Sequence, residues 1–139
     1  MAAGETIIKD NRISIECARS VSDTIDHLEA ILKEKGLGIF GRVDHAANAT
    51  KAGLKMPETQ VLIFGNPKLG TKLMLASPSI ALDLPLKMMA TQNADDKVYL
   101  SWIDPVHLKQ FHQVENCDDA FETIGEMLMG IGTAVAASK

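Results

Sequence analysis

Aromatic residues are scarce in this chain of 139 residues: four Phe, one Tyr and one Trp make up 4% of it. None recurs at a spacing that builds a stacking platform, which argues against flat cofactors and single-stranded nucleic acids as ligands. Cysteine is limited to Cys17 and Cys117, too few for a disulfide-stapled miniprotein. Positive charge is in deficit. Fourteen Lys and Arg face eighteen Asp and Glu, a net charge of −4. The basic residues are scattered, so the basic stripe of a general nucleic-acid binder is missing. No apolar run reaches the ~20 residues of a spanning helix; the longest uncharged C-terminal stretch is 127–138. No basic segment followed by an apolar run opens the chain, so no signal peptide and no membrane anchorage are expected. A cytoplasmic location is the expectation.

What is abundant is aliphatic. The hydrophobic fraction is 46% and seven Met contribute to it, while 23% of residues are charged. That balance describes a globular domain with an aliphatic core and rules out a disordered chain.

Ile13, Ile15 and Cys17 alternate with Ser14 and Glu16, the period of a strand with one buried face. Ser20 and Asp23 form a capping box before the stripe Val21, Ile25, Leu28, Leu32, and Gly36 suits the helix's C-terminal stop. Leu37, Ile39, Gly41 and Val43 alternate as a second strand, and Asp44 stands where it can cap a short Ala-rich helix. The apolar run 60–64 predicts a central strand, and Asn66-Pro67 a helix start with Pro at its first position. A short helix follows Ser77-Pro78 and must end near Leu84-Pro85. Segments 86–92 and 98–103 predict a hairpin, with Val98, Leu100 and Trp102 sharing one face. Asp104-Pro105 begins another short helix. Phe121, Ile124, Leu128, Ile131 and Val135 define a last helix over about 119–137, interrupted by Gly125, Gly130 and Gly132. Each Gly costs roughly 1 kcal/mol in a helix interior, so close approach of another element is expected to offset it. The order predicts a single α+β domain over 1–139, with a sheet of about five strands and helices mainly on one face.

Three stretches carry a family resemblance: 43–54 with Asp44-His45, 61–71 with Asn66-Pro67, and 81–86 with Leu84-Pro85-Leu86. From about residue 14 to about 111 the chain resembles the domain of unknown function 302 family. The resemblance implies a curved, antiparallel-rich sheet of the TATA-binding-protein type and a small homodimer. It implies no reaction, and the fold likeness warrants no DNA function.

Five residues at strand ends and loops are the candidate ligand-binding set: Asp44, His45, Asn66, Lys68 and Asp83. Asp44 is accounted for by capping, whereas His45 could serve as a general acid or base, since a histidine exchanges protons near neutral pH. The stretch 65–72 resembles a P-loop with Thr71 and Lys72 exchanged, and Pro67 removes an amide that a phosphate cradle would use. A weaker anion site at a helix start, with Lys68 beside it, remains the expectation. Asp83 would join these residues if its turn folds toward Asn66 and His45. Histidine spacing argues against a metal site, because His107 and His112 lie about 140° apart on a helix. The Met pairs are core filler, and no cofactor is expected. The leading reading is a non-catalytic, homodimeric module for a small anionic ligand. The alternatives are a small enzyme using His45 and a structural or protein-interaction domain.

Overall fold

A computed structural model describes residues 4–137. Met1 to Ala3, where the leader expectation begins, and Ser138 and Lys139 lie outside the described residues. Six strands form one open antiparallel sheet: β1 (Thr6–Lys9), β2 (Arg12–Cys17), β3 (Gly38–Asp44), β4 (Thr59–Gly65), β5 (Leu86–Gln92) and β6 (Val98–Ile103), in the order β1-β2-β6-β5-β4-β3. The α+β class holds, with one strand more than expected. β1 is exposed along its length and lacks apolar alternation, so its existence rests on pairing with β2. Asp10 and Asn11, both at positive φ, make the turn between them, a conformation these two residue types tolerate best after Gly.

Two long helices cover one sheet face, α1 (Val21–Glu34) over β3–β5 and α5, the helix Asp118–Ala137, over β2 and β6; they also pack on each other. Ser20 caps α1 by accepting from the Asp23 N–H at 3.1 Å. At its other end Gly36 adopts φ +76°, the Leu37 N–H donates to Leu32 O and the Gly36 N–H to Lys33 O, both at 3.0 Å. That pair of bonds is the Schellman stop that Gly at this position implies.

The core is aliphatic, as composition requires. Ile15, Leu62, Phe64, Met88 and Leu100 from the sheet meet Ile25, Leu28 and Leu32 of α1 and Leu128 and Ile131 of α5, all essentially solvent-free. Cys17 is buried there without a disulfide, and burial pushes its thiol pKa up to about 11, so it stays protonated and inert. The six-membered ring of Trp102 abuts α5 at Gly132, where a Cβ would stand 2.3 Å from the indole Cη2. The close approach expected at the helix glycines therefore occurs at Gly132 alone, since a Cβ at Gly125 or Gly130 meets nothing within 4 Å.

Four shorter elements complete the described residues. These are α2 (His45–Lys51), α3 (Pro67–Ala76), a 3-10 turn at Pro78–Asp83 and α4 (Pro105–Phe111). Asp44, Asn66 and Asp104 each cap the helix that follows through a side-chain carbonyl or carboxylate oxygen.

Candidate functional site

The antiparallel pairing of β3 with β4 decides which candidate residues can meet. Gly38 pairs with Gly65, and Asp44 pairs with Gln60. Residues that follow β3 and residues that follow β4 therefore leave the sheet at opposite ends. A strand of six steps spans about 20 Å, so Asp44 and His45 are a strand length away from Asn66 and Lys68. The five-residue polar pocket does not assemble.

At their own end, the Asp44 carboxylate accepts from the Ala47 N–H at 2.9 Å and from Gln60 Nε2 at 3.4 Å. His45 is exposed at the first position of α2 and bonds neither Asp44 nor Asp83. Asp83 is engaged elsewhere, its Oδ2 2.6 Å from His112 Nε2. Lys68 is exposed, and its N–H donates to Asn66 Oδ1 at 3.0 Å. That bond also closes most of the expected anion cradle. In the first turn of α3, Pro67 has no N–H, the Lys68 N–H serves Asn66, and the Gly70 N–H reaches Asn66 O at 2.9 Å. Only the Leu69 amide is left to face an anion.

What the Asn66 end of the sheet builds instead is an apolar cavity of about 180 Å³. It is lined by Leu69, Leu73 and Met74 of α3, by Ala81, Leu84 and Leu86, and by Ile124 and Met127 of α5. Gly65 and Gly70 widen it by lacking side chains. Asn66 is the single polar side chain in the lining. Its Oδ1 accepts from the Lys68 N–H, and its Nδ2 group carries two further donors.

The mouth carries Phe40, and a β-bulge explains its position. Ile39 pairs with Phe64 and Gly41 with Ile63, which leaves Phe40 as the extra residue on the edge strand. A bulge re-aims a side chain that strict alternation would send elsewhere. Phe40 remains 59% exposed while lining the cavity. The two methionines give the walls adaptable, polarisable surface. At about 180 Å³ the space has room for a single ring or a short branched chain, by comparison with the roughly 150 Å³ cavity that takes up benzene.

Asn66-Pro67 marks the helix start that the sequence predicts, with Pro67 at its first position. The cavity is not legible in the sequence because its walls converge only through the packing of α3 on the 3-10 turn and on α5. Nor is the setting of His112, whose partners lie 29 and 33 residues away.

A family model described as "Domain of unknown function DUF302" matches residues 13–131. The chain belongs to the DUF302 family. The match runs about twenty residues beyond the resemblance read from the motifs and takes in most of α5, as the packing of that helix on the sheet requires. The crystal structure of an uncharacterized conserved DUF302 protein from Bacillus stearothermophilus is similar in fold, with a TM-score of 0.74, covering 92% of this chain and 97% of that one at 18% identity. Among curated proteins, the chain is 40% identical over 128 residues to "Fluoride-specific ion channel FluC 1" of Brucella suis biovar 1 (strain 1330), and equally to its counterpart of the same name in Brucella abortus biovar 1 (strain 9-941). The matched region is 92% of this chain but only 50% and 47% of those proteins. The DUF302 chain thus spans about half the length of the curated relatives it matches.

Proposed function

We propose that this DUF302 domain is a small-ligand binding module whose ligand is mainly apolar and seats one polar group against Asn66. The observation that carries the reading is the 180 Å³ cavity with Asn66 as its one polar side chain. The anionic ligand expected from the helix start gives way to this reading, because in the first turn of α3 only the Leu69 amide remains to hold an anion. Thermal unfolding against a panel of single-ring and short branched compounds tests it. Phenol-sized compounds should raise the Tm in a saturable way, while inorganic phosphate and fluoride should leave it unchanged. A rise with phosphate alone would overturn the reading.

A second reading concerns partners. A protein that conducts an ion through a bilayer needs spanning helices or a closed barrel. Among the described residues no helix is long and apolar enough to cross a membrane, and the sheet is open, with β1 and β3 as its edges. The conducting part of the Brucella relatives then belongs to the half that this chain does not match. On this reading the domain works beside such a channel as an accessory module. Homodimer formation, implied by the family resemblance, is part of the proposal. The sheet face opposite α1 and α5 presents Val43, Val61 and Met89 in register across three strands, an apolar strip for a second copy to cover. Light scattering should give twice the chain mass.

A further inference from the structure

We propose that Ser79, His112 and Asp83 form a nucleophile, base and orienting carboxylate able to take the acyl group from a small carboxylic ester. None of the three lines the cavity, although Ala81 of the same 3-10 turn does, and the proposal is independent of the binding reading. Ser79 Oγ lies 2.9 Å from His112 Nδ1, and His112 Nε2 lies 2.6 Å from Asp83 Oδ2. Ser79 and Asp83 come from the same 3-10 turn, and His112 ends α4. The His112 side chain is 3% exposed, whereas Ser79 is open to solvent.

This is the arrangement a serine nucleophile needs: a base in hydrogen-bond reach, with that base held by a third group. With the ring proton on Nε2 and donated to Asp83, the Nδ1 lone pair faces the Ser79 hydroxyl. The two ring nitrogens exchange the places they hold in the familiar serine triad, but each role is filled. A histidine that merely tied two elements together would need only the carboxylate. Here its second nitrogen meets an accessible hydroxyl. Phe111 stands edge-on to the imidazole, with ring centroids 5.0 Å apart, and is 67% exposed. It offers an exposed apolar surface beside the imidazole for the aryl or alkyl part of an ester.

In the acylation step, Oγ bonds to the carbonyl carbon while its proton passes to Nδ1. The tetrahedral adduct collapses, the bond from carbonyl carbon to leaving oxygen breaks, and that oxygen takes the proton from Nδ1. Water then attacks the acyl carbon, gives its proton to Nδ1, and Oγ departs with that proton. Ester and water become acid and alcohol, with no change of oxidation state.

The full chain incubated with p-nitrophenyl acetate tests this by p-nitrophenol release and by peptide mass mapping of the acetyl group. Acetylation at Ser79 is expected, and Ser79→Ala should abolish that adduct and slow release about 100-fold, within the range that general-base assistance supplies. Asp83→Asn should slow both readings as well. Substituting sealed His112 could unfold the chain, so the test rests on accessible Ser79 and half-exposed Asp83, with thermal unfolding confirming that both variants fold. Acetyl found only on lysines or the amino terminus, or release unchanged in Ser79→Ala, overturns the proposal.

Discussion

Replacing Gly132 with alanine should destabilise the domain by about 1–3 kcal/mol, the usual cost of forcing atoms into a filled core. The result runs against helix propensity, which favours Ala over Gly by roughly 1 kcal/mol. The reason is geometric. The new Cβ would stand 2.3 Å from Trp102 Cη2 and 2.5 Å from Cζ3, and the indole is sealed between the sheet and α5 at 3% exposure. A rigid ring with core on its other side cannot retreat as the tip of a flexible side chain could. Gly130→Ala is the internal control. Nothing lies within 4 Å of its Cβ position, so the propensity gain should appear as a higher Tm. The two substitutions, two residues apart on one helix, should therefore shift the Tm in opposite directions. In a Trp102→Leu background the penalty at Gly132 should shrink or vanish, because residues in contact couple in a double-mutant cycle. Equal effects at positions 130 and 132 would mean that the indole does not occupy the place described.

Gly70→Leu should separate stability from binding. A Cβ there meets Leu84 Cδ1 and Met74 Cε at 4.0 Å, ordinary contact distances. The substitution improves helix propensity in α3 by up to about 1 kcal/mol while its side chain enters the cavity. Unfolding temperature should hold or rise, whereas the ligand-induced shift seen with single-ring compounds should be lost. Stabilisation at the cost of function is the expected pattern when a protein keeps an open apolar space for a ligand. Parallel loss of fold and binding would instead mean that the space is structural slack.

How far the sequence could be read depended on whether the relevant forces were local. The cap at Ser20, the stripe through Leu28 and Leu32 and the stop at Gly36 are all nearest-turn effects, and α1 forms where they predict. Asn66-Pro67 and Asp104-Pro105 mark helix starts for the same reason. Non-local pairing was less legible. β1 has no apolar signature of its own, and the bulge that isolates Phe40 depends on the register of the neighbouring strand.

The candidate site divided along the same line. Its five residues stand at strand ends and loops, and strand ends gather on one side only when strands run parallel. With β3 and β4 antiparallel, His45 and Asn66 are sent to opposite ends of the sheet. Asp83 found its partner in His112, a contact between a turn and the end of a helix that no local pattern encodes. The scarcity of aromatics takes on a further meaning. Phe40 lines the cavity mouth, Trp102 braces α5, and Phe111 stands beside the Ser79–His112 pair, so three of the six aromatics mark specific positions.

The most direct test of the central claim is native mass spectrometry of the freshly purified chain, compared with Gly70→Leu. If the cavity is a binding site, phenol-sized compounds added in excess should give a one-to-one complex with the wild-type chain and none with the variant. The same adduct on both proteins, or none on either across the panel, would contradict the account.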